Sequence, residues 1–324
     1  MSAEPSLLSS GGRVRRRKRV NRLVEASWLI AALLAVAVLT IVTLSVFLRG
    51  VAALDLDLFT KTAATFGESG GGIAHAFVGS IVLVGIAAAM ALPFGVLTAI
   101  YVSEFAEHRF ARVIKLGLDV LNGLPSIVIG IFLFALLVVG RGQNAFIGSV
   151  ALGIIMLPLI ARATMEILAL VPNHLREGSA ALGVSKWRTI LGVILPVALS
   201  GILTGTTLAI ARAAGETAPL LFTSSLYGNT VSVDPDHALA SVPVTIFVYS
   251  EAPDKHLNDQ AWAAAFVLIS FVLITSLLAR ALLARSQRKL ESGGPDRTGL
   301  LRLAGFYGIF RGGRSGDASG NEGE

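Results

Sequence analysis

Two oppositely charged residues, Arg212 and Glu216, lie in an otherwise apolar stretch of the sequence. An ionised side chain near the centre of a membrane helix costs about 2.5–3.5 kcal/mol on insertion scales, so it usually faces a partner or a polar pathway. Their spacing predicts that both lie on one helix face, where they can pair. Because a guanidinium suits the oxygens of an anion, the pair predicts an anion pathway. The alternative is a structural ion pair that fixes helix register.

Arg162 and Glu166 repeat this spacing in an earlier apolar block. They fall towards the predicted cytoplasmic end of that block, where long side chains can reach water. Arg162 is therefore a second candidate for the pathway, and a plain structural role for the pair is the alternative. Asp119 is predicted to lie at the membrane interface.

One string fits a hydrolase motif, because Gly67-Glu68-Ser69-Gly70-Gly71 has the form Gly-x-Ser-x-Gly and His75 follows. A nucleophile elbow needs a strand–turn–helix context, whereas this string lies in a predicted loop before an apolar block. Catalysis by Ser69 as an intramembrane protease is thus the less favoured alternative. The five scattered histidines have no metal-ligand spacing, and the chain has no cysteine for thiolate sites or disulfides.

The elements that position these residues are long apolar blocks. The chain is 54% hydrophobic and only 15% charged, with a mean hydropathy of +0.73. A helix needs about 20 apolar residues to cross a hydrocarbon core of roughly 30 Å. Uninterrupted blocks of this kind predict membrane helices, since barrel strands would alternate apolar and polar residues. Six membrane-spanning helices are predicted, at Trp28–Leu48, Ala76–Val102, Val120–Gly140, Ala145–Ala161 (extended to Val171), Thr189–Ala211 and Ala261–Ala279.

The distribution of basic residues predicts that both termini are cytoplasmic. With that orientation most of the 27 lysines and arginines fall in inner segments, as the positive-inside rule requires. The outer loops hold only four of them, Arg49, Lys61, Arg141 and Lys255. Topology therefore explains the high pI and the basic cluster at 13–19 without nucleic acid. The first apolar run is too long for a signal peptide, so an uncleaved first helix is expected.

Three regions are predicted along the chain. Residues 1–24 form a basic cytoplasmic arm, residues 25–285 form the six-helix membrane domain, and residues 286–324 form a Gly- and Arg-rich disordered tail. Residues 103–115 are predicted to be a short inner loop. The apolar segment 238–250 is too short to span the membrane, and Pro243 is predicted to interrupt it, so a surface-lying or re-entrant segment is expected.

The inner loop between the fourth and fifth predicted helices carries the most specific pattern. Glu177-Gly178-Ser179-Ala180-Ala181-Leu182-Gly183 is followed after nine residues by Val193-Ile194-Leu195-Pro196. The small residues favour a short helix, the glycine allows a sharp turn, and the proline is predicted to lie in the first turn of the next helix. This pattern is similar to the cytoplasmic "EAA" loop of ABC-importer permeases. An ordinary amphipathic interfacial loop is the alternative.

The chain lacks the nucleotide-binding motif that a self-sufficient pump would carry. A P-loop ends in Gly-Lys-Ser or Gly-Lys-Thr, and none of the lysines in this sequence follows a glycine. Any ATP-driven activity of this chain must therefore use the ATPase of another subunit.

Several further segments resemble one family, the A-type permease (PstA) of bacterial phosphate-specific ABC importers. The string Gly215-Glu216-Thr217-Ala218-Pro219-Leu220-Leu221 is the most discriminating. The resemblance runs roughly from the first predicted helix to Leu283, and excludes the basic arm and the tail. The other matching segments are Gly70-Gly71-Gly72-Ile73, Leu124 to Gly130, Ala161-Arg162-Ala163-Thr164 and Ser241-Val242-Pro243-Val244.

The resemblance implies an all-α, type I (MetI-like) permease fold in the bacterial cytoplasmic membrane. It implies a heterodimer with a second, C-type permease, a cytoplasmic ATPase dimer that binds ATP and Mg²⁺, and an extracytoplasmic phosphate-binding protein, with surrounding membrane lipid. A permease for molybdate, sulfate or phosphonate and a non-transporting membrane scaffold or sensor are the alternatives. The residues expected to couple to the ATPase are Glu177, Ala180, Ala181, Leu182, Gly183, Leu195 and Pro196, and those expected along the path are Arg212, Glu216 and Arg162.

Overall fold

The apolar blocks of the sequence form long helices, because a chain in lipid must satisfy its backbone hydrogen bonds within itself. The computed structural model describes residues 12–63, 70–225 and 230–292, and these contain helices and no strand. Five helical runs are long and apolar enough to cross a membrane by length and composition. They are Arg16–Ala52, Ala74–Phe105, Ala145–Leu170, Lys186–Ala213 and Lys255–Ala281.

Twelve α-helices, numbered in chain order, make up the described residues. Three five-residue π-helical turns continue α3, α5 and α8, at Tyr101–Phe105, Phe134–Val138 and Ile190–Ile194. The helices are α1 Gly12–Ala52, α2 Asp57–Thr60, α3 Ala74–Ile100, α4 His108–Gly123, α5 Ser126–Leu133, α6 Ala145–Leu170, α7 Asn173–Ala181, α8 Lys186–Thr189, α9 Leu195–Ala213, α10 Ala218–Thr223, α11 Val242–Glu251 and α12 Lys255–Ser292.

The third predicted span is not one continuous helix. Helix α4 and the run from Ser126 to Val138 meet at an angle of 93°, a bend that occurs in a broken span or in a re-entrant loop. Proline lacks an N–H and disfavours helical geometry in the residue before it, and Pro125 has φ −59° and ψ 130° at the break. The predicted span over Val120–Gly140 is therefore bent at Pro125. The predicted inner loop at 103–115 was wrong, because much of it belongs to α4.

Two other sequence predictions change in detail. Residues 12–24 belong to α1, so the described part of the predicted basic arm is continuous with the first membrane span. Helix α11 is too short to span a membrane, as expected, but Pro243 lies in its first turn instead of interrupting it. A proline is tolerated there because that N–H has no partner within the helix. The predicted tail lies outside the described residues from 293 onward.

The described chain divides into two compact units. Unit 1 draws on residues 12–91, 121–156 and 212–273, and unit 2 on residues 92–120, 157–211 and 274–292. Unit 1 contains two apolar clusters, one that joins α3 with α12 and one that joins α5 with α6. Unit 2 is built on a cluster from α6, the helix of Lys186–Ala213 and the end of α3, with members Leu168, Val171, Ile190, Ile194, Ala198 and Ile202.

Small residues allow α6 and α9 to approach closely within unit 2. A Cβ atom added at Gly205 would lie 2.6 Å from the Cβ of Ala163, and one added at Gly201 would lie 2.7 Å from the Cδ1 of Ile167. Glycines spaced in this way let membrane helices pack through their backbones, where van der Waals contact stabilises the pair. Gly201 and Gly205 therefore fix the separation of the two helices that flank the inner loop.

Replacing Gly205 with leucine should destabilise the protein, because the new side chain must displace Ala163. Overpacking of this kind costs about 1–3 kcal/mol. The measurement is the thermal unfolding midpoint of the purified protein in detergent. Gly85→Leu is the matched control, since Gly85 is also helical and has no atom within 4 Å of an added Cβ. Equal midpoints for the two variants would contradict the proposed α6–α9 contact.

Candidate functional site

The predicted coupling loop is a helical hairpin, which we call the 173–189 hairpin. Its first arm is α7 and its second arm is α8, which leads directly into the membrane helix α9. Gly183 has a φ of +71°, a conformation that glycine adopts without the cost of a Cβ. The Gly183 N–H donates to the Ala180 carbonyl (2.9 Å) and the Val184 N–H to the Ser179 carbonyl (3.1 Å). This is a Schellman motif, which ends α7 abruptly and confirms the predicted short helix and sharp turn.

The tip of the 173–189 hairpin presents apolar side chains to its surroundings. Leu182 is 84% exposed and Trp187 is 55% exposed, and both lie next to the turn. Glu177, Ala180 and Ala181 are also exposed, on the helix that precedes the turn. Exposed apolar residues grouped within a polar segment are typical of an interaction site. Five of the seven predicted coupling residues, 177 and 180–183, therefore lie together on one exposed element.

The remaining two predicted coupling residues, Leu195 and Pro196, lie further along the same helical run. Pro196 lies in the first turn of α9, as predicted, but helical structure already begins at Lys186 and continues to Ala213. A proline inside a helix removes one hydrogen bond and crowds the carbonyl four residues earlier. Here the preceding π-helical turn changes the pattern of backbone hydrogen bonds, since the Leu195 N–H donates to the Ile190 carbonyl five residues back.

Sequence reasoning missed the contact that holds the base of the hairpin. Arg176 of α7 pairs with Glu104 in the π-helical turn after α3, with 2.7 Å between Nη2 and Oε1. The Glu104 side chain is only 6% exposed. The available signal was a lone carboxylate at the end of the second apolar block, but nothing in the sequence linked it to an arginine 72 positions later.

Arg212 and Glu216 pair, but not on one helix face. Arg212 lies in the last turn of α9, which ends at Ala213, and Glu216 lies in the following turn. Their Nε and Oε1 atoms are 3.7 Å apart, and the side chains are 61% and 17% exposed respectively. The predicted pairing is confirmed and the predicted helical geometry is wrong, because the helix stops between the two residues. The guanidinium remains largely free to contact another group.

The segment after this turn joins two of the strings that carried the family resemblance. Helix α10 packs against α5 within unit 1, and a Cβ at Gly130 would lie 2.7 Å from the Cα of Pro219. Gly130 closes the Leu124–Gly130 string, and Pro219 belongs to the 215–221 string. Both helices are short and follow a break in a longer helix. Close packing of this kind requires the glycine.

Arg162 lies on α6 and pairs with Asp119 of α4. The predicted partner, Glu166, is exposed and forms no ion pair with any described residue. Helix α4, which the sequence had not revealed over this range, supplies the carboxylate and explains the difference. In the alternative hydrolase motif, Ser69 lies outside the described residues, whereas His75 is buried near the start of α3.

The sequence matches a known family over most of this helical region. Residues 91–291 match the family described as binding-protein-dependent transport system inner membrane component. The chain belongs to this family, a class of ABC-importer permeases in the cytoplasmic membrane. It is thus a multi-pass transport component and not an ATPase.

Named relatives confirm the narrower resemblance to the PstA permeases. The chain is 37% identical to phosphate transport system permease protein PstA of Haemophilus influenzae, over 78% of this chain and 89% of that protein. It is 35% identical to PstA of Pasteurella multocida, over 78% of this chain and 90% of that protein. It is 43% identical to PstA 1 of Mycobacterium tuberculosis strain H37Rv, over 61% of this chain and 65% of that protein.

Solved structures confirm the type I permease fold. A chain of a bacterial ABC transporter involved in the import of the acidic polysaccharide alginate aligns with a TM-score of 0.54 at 13% identity, covering 82% of this chain and 99% of that chain. A chain of the inward-facing MetNI methionine ABC transporter aligns with a TM-score of 0.50 at 17% identity, covering 66% and 94%. At such identities the likeness concerns the fold alone.

The exposure of Arg212 leads to a stability prediction for the pair that it forms with Glu216. A double-mutant cycle with Arg212→Ala, Glu216→Ala and the double variant should give a coupling energy no larger than about 1 kcal/mol, as for other exposed ion pairs. The measurement is the denaturation midpoint of the purified protein. A coupling energy of several kcal/mol would instead mean that the pair fixes the end of α9.

Proposed function

We propose that this chain is one of two permease subunits that together import inorganic phosphate across the cytoplasmic membrane. The second subunit is a C-type permease, a cytoplasmic ATPase dimer supplies the energy, and an extracytoplasmic protein delivers the phosphate. The names of the relatives at 35–43% identity support phosphate as the cargo. The family description supports delivery by a binding protein.

The exposed tip of the 173–189 hairpin is the observation that carries the proposal. Leu182, 84% exposed, and Trp187, 55% exposed, form an apolar group at the tip that suits a protein partner outside the membrane. The basic residues within the hairpin, Arg176, Lys186 and Arg188, support a cytoplasmic location under the positive-inside rule. We therefore assign it to the docking groove of the ATPase, with Glu177, Ala180, Ala181, Leu182 and Gly183 in contact.

Coupling then follows from the continuity of the chain. The second arm of the hairpin is the start of the helical run Lys186–Ala213, which contains Leu195 and Pro196 and ends beside Arg212. A displacement of the hairpin by closure of the ATPase dimer would therefore move this run as a rigid rod. We propose that this movement opens the path outward, while ATP and Mg²⁺ remain bound to the partner.

Arg212 is the residue that we assign to the phosphate. Its side chain is 61% exposed within its own subunit, in the last turn of α9, so the guanidinium is accessible to another group. A guanidinium offers several donors to phosphate oxygens, so a passing anion would be stabilised there. Glu216 can hold the guanidinium between passages. Arg162 is assigned a secondary place on the path, since Asp119 already neutralises it.

The transported anion can be tested directly. Proteoliposomes that contain the assembled complex and its binding protein should import phosphate in an ATP-dependent manner. Sulfate, molybdate and a phosphonate, each offered with the same complex, should not be imported. Import of one of these anions in preference to phosphate would support the alternative oxyanion permease. A complex that binds no ATPase would support a membrane scaffold.

Arg212→Ala should lower phosphate uptake by about tenfold or more while assembly of the complex is unchanged, because a charge-assisted contact to the anion is lost. Uptake of labelled phosphate into proteoliposomes is the measurement. Arg212→Lys is the matched variant, which keeps the charge and should retain an intermediate rate. Unchanged uptake by Arg212→Ala would mean that Arg212 and Glu216 form only a structural ion pair.

Gly183→Val should weaken ATPase binding, because a β-branched residue at a φ of +71° strains the turn that presents the tip. Gly183→Asn is the matched control, since asparagine enters the left-handed region more easily and nothing lies within 4 Å of an added Cβ. Co-purification of the ATPase measures the effect. If Gly183→Val retains full binding and transport, the hairpin is not the docking element.

A further inference from the structure

A buried ion pair joins the 173–189 hairpin to a second membrane helix, and we propose that it transmits the movement of the ATPase to that helix. The pair consists of Arg176 in α7 and Glu104 in the π-helical turn that ends the span of α3. We call it the α3–α7 joint. The inference rests on the proposed docking of the hairpin to the ATPase, and adds a second route into the membrane domain besides α9.

The Arg176 guanidinium gathers the ends of three helices. It donates to Glu104 through Nη2 at 2.7 Å and through Nε at 3.2 Å. It also donates from Nη2 to the Leu168 carbonyl at 3.0 Å and from Nη1 to the Val171 carbonyl at 2.7 Å, at the end of α6. A planar guanidinium that uses its donors in several fixed directions allows little sliding. The ends of α3, α6 and α7 are therefore held in one geometry.

The burial of Glu104 suggests that the joint provides position more than stability. The carboxylate is 6% exposed and Arg176 is 26% exposed, so both charges have lost much of their hydration. Removing two charges from water costs free energy that the pair recovers only with excellent geometry, and apolar residues of similar size are often as stable. A chain with such an abundance of apolar residues nevertheless places a charged pair here. We therefore attribute the pair to the position that it gives α3 and α7, and not to a gain in stability.

The second arm of the hairpin, α8, also contacts the π-helical turn that ends the α3 span. The Nζ atom of Lys186 lies 5.2 Å from the centre of the Phe105 ring, within the range of a cation–π contact. Phe105 is adjacent to Glu104, so both arms of the hairpin contact the end of the α3 span. Beneath them, Leu175 of α7 and Ile100 of α3 pack against the apolar cluster of unit 2. The hairpin and the end of the α3 span therefore form one body.

This arrangement converts force on the tip into movement of α3. Arg176 lies in α7, which leads to the tip residue Leu182, and its ion pair connects α7 to the end of the span Ala74–Phe105. Without the joint, the hairpin would still dock and α9 would still move, but α3 would follow less completely, since only the apolar packing and the Lys186–Phe105 contact would remain. Loss of the joint should consequently lower the phosphate transported per ATP hydrolysed while the ATPase stays bound.

Glu104→Gln tests the joint with the smallest change in shape. It removes the charge but keeps the side-chain length, and should reduce phosphate transported per ATP on the order of tenfold, as expected when a charge-assisted contact is lost. The ratio is measured in proteoliposomes with the complete complex, per assembled particle. A merely structural role would lower the amount of complex and leave this ratio unchanged. A wild-type ratio would overturn the proposal.

Glu107→Gln is the matched control, because Glu107 is exposed, lies three residues away and forms no ion pair with any described residue. It should keep the wild-type ratio. Co-purification of the ATPase with each variant separates the two hypotheses. Bound ATPase with a wild-type ratio in Glu104→Gln contradicts the joint alone, whereas wild-type binding by Gly183→Val contradicts the docking role of the hairpin.

The absence of native cysteine permits a further test. In the double variant Glu104→Cys, Arg176→Cys, the ion pair is lost and the transport ratio should fall. A short bifunctional maleimide that bridges the two thiols should restore the ratio, because the joint is proposed to move as one body. Cross-linking that leaves the ratio low, or abolishes transport, would show that the contact opens during the cycle and would overturn the proposal.

Discussion

The rest of the structure depends on the free-energy cost of leaving a backbone N–H or C=O group without a hydrogen bond in lipid. Helices satisfy their own N–H and C=O groups, so the apolar blocks fold as long helices and leave few positions for irregular backbone. Three of those positions are the break before Ser126, the turn after Ala213 and the tip of the 173–189 hairpin. The residues that we assign to function cluster at the last two, where the chain is free to expose polar or glycine-dependent geometry.

An ionised side chain in lipid is likewise costly unless it has a partner. Three ion pairs within or beside the spans join different elements: Arg162 with Asp119, Arg176 with Glu104, and Arg212 with Glu216 across a helix end. The pairs differ in burial, from a nearly inaccessible Glu104 to a largely exposed Arg212. We interpret the buried pair as a mechanical contact and the exposed one as a contact for cargo, since only an exposed cation can meet an anion.

The similarity to the PstA permeases and the physical reading of the site support each other in different ways. Sequence similarity establishes the family and the fold, and it does not by itself assign a role to any side chain. The geometry supports the roles that we propose. The Schellman turn at Gly183 accounts for an exposed tip, the π-helical turn accounts for Pro196 in a continuous helix, and the α5–α10 contact accounts for the glycine at 130.

Local patterns were enough to predict most of the membrane helices, the hairpin with its turn at Gly183 and the family. Hydropathy and glycine positions act over a few residues, so they can be interpreted without a fold. The three-dimensional fold was needed to show which charges meet, because Glu104 and Arg176, or Asp119 and Arg162, are brought together by helix packing over long sequence separations. It also decided where helices break or continue, at Pro125 and Pro196, because a proline's effect depends on whether neighbouring turns can absorb its missing hydrogen bond.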